Sequence, residues 1–259
     1  MQTTKSVPAV ERAFAMLEAL DYSKNGMNIA DLSRKLAIPR STAHTIALTL
    51  ERCGYLTRDA SQRNCMLSSK AYMLGRDAVR PDRMAVAGLR PMRRLSTQTL
   101  LTSHLAVLEQ SQALYIQKVQ GPGFVSMETY PGKRTNLHCT GVGKVLLAHA
   151  PEGYRSKVLS RGVFARYTRN TITMAGVLRD ELRRVVDCGY ALDNQEEELE
   201  IRCLAVPVFS VRNEFLAALS LSGTIQQISD SGVPALIARL HHTARTIAER
   251  LQSGVDDAA

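Results

Sequence analysis

Apolar positions in the first part of the chain recur at helical spacing and are interrupted twice. Within SVPAVERAFAMLEAL, Val10, Phe14, Leu17 and Leu20 fall on one face of a first helix. Ile29, Leu32 and Leu36 then mark a second, short helix, and Ile38-Pro39 breaks it, because a residue before proline is pushed out of the α region. A new stripe of Ala43, Ile46, Ala47 and Leu50 restarts behind Ser41 and Thr42. The opposite face of that third helix carries Arg40, Ser41, Thr42, His44 and Thr45, short polar or basic groups of a size that fits a groove. This spacing predicts a helix-turn-helix with the DNA-reading helix second. Taken alone, the segment also fits a plain αα-hairpin. Tyr55-Leu56-Thr57, a polar stretch over 58–64, and Cys65-Met66-Leu67 read as strand, turn and strand, which makes the unit a winged helix. Arg58 and Arg63 on that wing are candidates for contact with phosphate or the minor groove.

Beyond the wing the pattern changes. Arg76, Arg80, Arg83, Arg90, Arg93 and Arg94 alternate with Met84, Ala87, Leu89, Met92 and Leu95, which predicts a connecting helix over 76–98 with interruptions near Pro81 and Pro91. Its arginines either extend a DNA-facing field or are simply solvated. Apolar runs at 105–108 and 114–119 predict one hairpin, and runs at 204–209 and 215–220, around Arg212-Asn213, a second. Helices are expected over 140–149, 175–188 and 232–251. Hairpins surrounded by helices give a mixed α/β (α+β) fold class with an antiparallel sheet. The expected division is residues 1–75, 76–98, 99–254 and a tail over 255–259.

Charge sharpens the picture. Residues 1–94 carry 16 Lys/Arg against 8 Asp/Glu, whereas residues 95–259 carry 17 against 16. The basic excess coincides with the helix-turn-helix, as counterion release from a polyphosphate partner favours, so double-stranded DNA is the leading partner. No apolar run approaches the roughly 20 residues a bilayer span needs. The N-terminal MQTTKSVPAVERAF has no apolar signal core, so a cytoplasmic protein without membrane attachment is expected. Cys53, Cys65, Cys139, Cys188 and Cys203 are odd in number and form no CxxC pair, which speaks against a disulfide framework or a zinc site.

Four segments resemble the IclR family of transcriptional regulators. SVPAVERAFAMLEAL is similar to the family's N-terminal helix, and IPRSTAHTIALTLERCGYL to its recognition helix and wing entry. LHCTGVGKVLLA resembles the start of the effector domain's central helix, and GYALDNQEEELEIRCLAVPVF with ALSLSG resembles the C-terminal signature. The resemblance implies a winged helix joined by a helix to a GAF-like effector-binding domain over 99–254. It also implies a homodimer or dimer of dimers on palindromic operators, and a small organic or aromatic acid as effector. By the same carry-over, the backbone at Gly141 and Val142 receives an anionic or carbonyl oxygen at a helix start, where free N–H groups and the helix dipole favour negative charge. Asp193, Cys203, Ser220 and Ser222 match the positions whose side chains line the family's pocket. Two residues depart from the pattern. Glu200 stands where glycine is common, and Thr45 where a basic residue is common.

Other chemistry is weaker. GVGK at 141–144 lacks the upstream glycine and following hydroxyl of a phosphate-binding loop. His241-His242 lies outside any HExxH spacing, no GxSxG is present, and neither a metal nor a cofactor is expected. The acidic run over 196–200 reads as a solvated loop. A metabolite-binding enzyme and a ligand-independent architectural DNA binder are the alternative functions.

Overall fold

The computed structural model describes residues 6–21, 23, 26–59, 63–76, 83–122 and 128–253. The chain divides into two units, Met1–Arg80 and Pro81–Ala259, each with its own core.

The first unit contains α1 (Pro8–Asp21), α2 (Ile29–Lys35), α3 (Arg40–Arg52), β1 (Leu56–Arg58), β2 (Cys65–Leu67) and α4 (Ser69–Arg76). Asn28 begins α2 by accepting from the Asp31 backbone N–H at 2.9 Å while its own amide donates to the Asp31 carboxylate at 2.8 Å, a reciprocal cap. The two wing strands are antiparallel, with Leu56 opposite Leu67 and Arg58 opposite Cys65. Met16, Ala19, Leu20, Leu32, Ala43, Ala47, Leu50, Leu56 and Cys65 form the core. The stripe expected on α1 is therefore corrected. Val10 and Phe14 are 50% and 58% exposed, whereas Met16 and Leu20 are buried with Ala13 half-buried above them. Two stripes share this helix, and the one with small Ala13 and Ala19 can approach the small face of α3.

The second unit contains α5 (Arg83–Thr99), β3 (Thr102–Glu109), β4 (Gln112–Val119), β5 (Arg134–Thr135), α6 (Gly141–Ala148), α7 (Glu152–Leu159), α8 (Ala175–Cys188), β6 (Ala191–Asn194), β7 (Ile201–Phe209), β8 (Phe215–Thr224) and α9 (Val233–Ser253). Six strands form one antiparallel sheet in the order β5-β4-β3-β8-β7-β6. Its two faces differ in side-chain size. Leu105, Leu204, Val206, Leu219 and Leu221 pack against Met92 and Leu95 of α5 and Leu240 and Ile247 of α9. On the other face, Ala106, Ala113, Ala191, Ala205 and Ala218 meet Val142 and Val145 of α6 and Leu178 and Leu182 of α8. The small face is where space opens for a ligand.

Pro91 does not interrupt its helix, contrary to expectation: α5 runs through it. The proline lacks the N–H that would bond Ala87 four residues earlier, and that carbonyl instead accepts from Arg250 Nε of α9 at 3.2 Å. Pro81, the other expected break, lies outside the described residues. No helix among the described residues is long and apolar enough to cross a membrane.

Candidate functional site

In the first unit, Ala43, Ala47 and Leu50 seat α3 in the core, which turns Arg40, Ser41, His44 and Thr45 to solvent and leaves Thr42 half-buried. Thr45 Oγ1 donates to the Ser41 carbonyl at 3.0 Å, so it presents oxygen lone pairs and a methyl outward. Pro39 precedes the helix without a side-chain cap, leaving the first-turn N–H groups of α3 uncapped by any side chain. Arg63 is exposed on the wing, where its backbone N–H donates to Asp59 Oδ1 at 2.9 Å. Arg58 differs from expectation. Its guanidinium turns back to Glu51 at 3.2 Å, and its side chain is only 14% exposed, so it braces β1 against α3.

In the second unit, a cavity of about 340 Å³ opens on the small face of the sheet, within the size range of small-ligand sites. The antiparallel register sets Asp193, Cys203, Ser222 and Thr102 in one row across β6, β7, β8 and β3. Asp193, Cys203 and Ser222 line the cavity, together with Thr140 at the cap of α6. Gly141 lies behind Cys203: a Cβ added to it would sit 3.0 Å from Cys203 Sγ, so glycine permits the close approach of helix to strand. Val142 is buried in the core under the sheet. Ser220, one row further along, is 1% exposed and outside the cavity lining, with its hydroxyl toward the Cys203 thiol.

Burial sets the protonation of this site. Asp193 accepts from the Glu196 backbone N–H at 2.8 Å, yet desolvation pushes its pKa up to about 8, so the carboxyl holds a proton at neutral pH. Cys203 is pushed up to about 11 by burial and by Asp193, which keeps it a thiol. The Asp193 shift has a sign that can be tested. Below the ordinary value of 3.8 both states are protonated, and between 3.8 and about 8 the unfolded chain ionises first. Stability owed to Asp193 therefore falls as pH rises through that window. Asp193→Asn is expected to flatten the fall in thermal midpoint there. A fall as steep as in the parent chain would assign the pH dependence to other groups.

Several site residues were not singled out from the sequence. His104 and Tyr115 line the cavity from β3 and β4, with ring centroids 4.8 Å apart. Alternation in TSHLA was the available signal, since it sets His104 on the face of Thr102 and Ala106. The acidic run is not a uniformly solvated loop, as had been expected. Glu196 is 5% exposed, and Glu197 is half-buried against the cavity with Thr135 Oγ1 donating to it at 2.9 Å. Glu198 also lines the cavity but is exposed. Lys144, read only as part of a failed phosphate motif, is 1% exposed. Its ammonium donates to Glu196 Oε1 at 2.6 Å, Glu181 Oε1 at 3.1 Å and the Leu192 carbonyl at 2.6 Å, joining α6, α8 and β6. Glu200 has φ 64°, in the left-handed region, which explains the glycine common there in the resembling family. Among the described residues no group of three His, Cys, Asp or Glu side chains could hold a metal ion.

Comparison with known proteins agrees with both halves. Residues 9–60 match the IclR helix-turn-helix domain, and residues 82–249 match the bacterial transcriptional regulator IclR C-terminal domain. The HTH-type transcriptional regulator KdgR of Dickeya chrysanthemi is 32% identical over 95% of this chain and 80% of its own. The transcriptional repressor IclR of Escherichia coli is 28% identical over 94% of this chain and 90% of its own. Among solved structures, an IclR homolog from Microbacterium hydrocarbonoxydans complexed with 4-hydroxybenzoate matches with a TM-score of 0.80 and 25% identity, covering 95% of this chain and 99% of that one. With a DNA-reading fold in one unit and a ligand-sized cavity in the other, this chain belongs to the IclR family of DNA-binding transcriptional regulators, with a C-terminal effector-binding domain.

Proposed function

We propose that the protein works in the cytoplasm as a homodimer or dimer of dimers on double-stranded operator DNA, and that a small organic or aromatic acid in the cavity modulates that binding. The observation that carries the reading is the outward row on α3, Arg40, Ser41, His44 and Thr45, held over a fully apolar seat. Thr42 at the edge of that row and Arg63 on the wing complete the DNA-contacting set. Arg58 is left out of it because its guanidinium is engaged by Glu51. Arginine suits guanine, the hydroxyls and imidazole suit bases or phosphates, and the uncapped first turn of α3 suits a phosphate. Asp193, Cys203 and Ser222 in the cavity, with Ser220 and the start of α6 at Gly141 and Val142 behind them, form the effector-binding set. The effector biases DNA binding only through its differential affinity for two arrangements of the dimer.

Binding without turnover is favoured over catalysis. The Cys203 thiol is held far from ionisation, and the His104 imidazole beside Thr129, its pKa lowered to about 3 by burial, is too weak a base to activate that hydroxyl. Arg40→Ala is expected to weaken operator binding about 10- to 100-fold and to relax preference at one base position, with the thermal midpoint unchanged because the side chain is exposed. Footprinting and titration on the protein's own promoter measure both. An unchanged footprint and affinity would remove α3 from base reading.

A further inference from the structure

A second cavity, of about 300 Å³, opens in the second unit between the β3–β4 turn, the segment before α6 and the end of α7. Its size is at the lower end of the range for small-ligand sites. One segment divides it from the effector cavity. Thr135 and Thr140 line the effector cavity, and Asn136, Leu137 and His138 line the second one. His138 is 6% exposed, and its ring stacks on Phe164 with centroids 5.1 Å apart. Burial holds its pKa below the ordinary value, so the ring is neutral at physiological pH. Its Nε2 lies 2.9 Å from the Ala165 carbonyl oxygen. A carbonyl only accepts, so Nε2 carries the ring proton and Nδ1 is left as an acceptor. Among the described residues, Ala165 is the only hydrogen-bond partner of this imidazole.

An acceptor nitrogen is selective. A carboxylate or carbonyl oxygen cannot serve it, whereas a hydroxyl can. Charge narrows the choice further. Among the described residues that line this cavity, Arg161 alone is charged. An ammonium donor is therefore repelled, and an anionic group is drawn in. The effector cavity has the opposite balance, with Glu128, Glu197 and Glu198 against Lys133. The rest of the polar lining, Gln110, Ser111, Gln112 and Asn136, is uncharged and offers both donors and acceptors, which suits neighbouring hydroxyls. Gln110 and Ser111 make the turn with φ 44° and 71°. The turn thus keeps a glutamine and a serine where the backbone favours asparagine and glycine.

We propose that this cavity is a second ligand site, for a small polyhydroxylated anion whose charged group meets Arg161 and one of whose hydroxyls donates to His138 Nδ1. A sugar acid and a sugar phosphate share that chemistry. The site does not depend on what occupies the effector cavity, but the dividing segment links the two. Thr140 Oγ1, in the wall of the effector cavity, donates at 2.6 Å to the carbonyl of Asn136, in the wall of the second. A ligand that shifts this segment from one side changes the affinity on the other, and the effect is reciprocal.

The test titrates gluconate and glucose 6-phosphate calorimetrically into the full-length protein, with sorbitol as the uncharged control. At least one anion is expected to bind, and sorbitol to bind at least about 10-fold more weakly. The anion that binds tells a carboxylate source from a phosphate source. Arg161→Gln removes the charge from an exposed side chain and is expected to weaken that anion about 10- to 100-fold, the factor for a hydrogen bond to a charged group. His138→Gln sets an amide where Nε2 meets Ala165 and puts nothing in the place of Nδ1, while His138→Phe keeps the stack on Phe164. Each is expected to cost about 10-fold, and agreement between them separates a lost acceptor from a packing defect. Arg161→Gln keeps the test open should either His138 variant fail to fold. Anion binding unchanged in Arg161→Gln, or in both His138 variants, would place the anion elsewhere and overturn the proposal. Equal affinity for sorbitol and the anions would overturn it too. So would the absence of binding by both anions while operator binding is intact, and none of these results touches the reading of the effector cavity.

Discussion

Lys144→Met is expected to destabilise the second unit by about 3–5 kcal/mol, the usual result of removing one partner from a buried ion pair. The ammonium is 1% exposed and serves two carboxylates and a carbonyl at once, while Glu196 and Glu181 are 7% and 16% exposed. Methionine fills much the same volume, so the loss is electrostatic and not a cavity effect. Glu196 is the group that suffers most. Burial already raises its pKa, and Lys144, with a smaller part from the Asn194 backbone, opposes that rise, so without the lysine it takes up a proton more readily. A carboxyl with a raised native pKa contributes stability at low pH that is lost as pH rises, so the deficit of the variant should shrink toward pH values near 4.5. Thermal denaturation across pH measures both effects. A midpoint within about a degree of the parent chain at neutral pH would mean that solvent reaches this cluster. Because Glu196 also anchors Asp193 through its backbone N–H, looser effector binding should accompany the loss.

Gly143→Ala is expected to be nearly as damaging, although alanine is the better helix former by about 1 kcal/mol. A Cβ at this position would lie 2.2 Å from the Asn136 carbonyl oxygen, 2.6 Å from Thr140 Oγ1 and 2.7 Å from Leu137 Cα. Two of these are backbone atoms, which cannot swing away. The threonine is the α6 cap itself, accepting from the Gly143 N–H at 3.0 Å and donating to Asn136 at 2.6 Å. Overpacking of this kind costs about 1–3 kcal/mol, and loss of the cap about 1 kcal/mol more. The clash therefore outweighs the gain in propensity. Since Thr140 lines the cavity, the substitution should lower the thermal midpoint and effector affinity together. A rise in midpoint would mean that the 136–140 segment yields at little cost.

Sequence pattern carried the winged helix, the two hairpins and the helices α6, α8 and α9, because in each the hydrophobic period is strong and the ends are punctuated. It also carried the cavity residues on β6, β7 and β8, through a signature rather than through periodicity. It carried less where an element is short or a side chain is settled by a distant partner. β5 has 2 residues and β6 has 4, too few for a period to show. Pro91 read as a helix breaker because Arg250, whose side chain satisfies the freed carbonyl, lies far along the chain. Arg58 read as a wing arginine open to DNA and Glu196 as a solvated charge, because Glu51 and Lys144 take them up only after folding. Glu200 could be flagged against the family's glycine, but its positive φ needed the backbone.

The strand order has a consequence for how the chain comes off the ribosome. β3 sits at the middle of its sheet with β4 on one side and β8 on the other, so its second edge stays open until residue 224 has been made. The apolar face of that sheet waits longer still, for α9. The first unit needs nothing beyond α4 for the core described above, and it is complete long before synthesis ends. Translation thus releases a DNA-reading module early, while the metabolite-sensing half is still an open hairpin with exposed leucines. That half, with its long-range pairing, is the slower to fold and the place where chaperones would be needed.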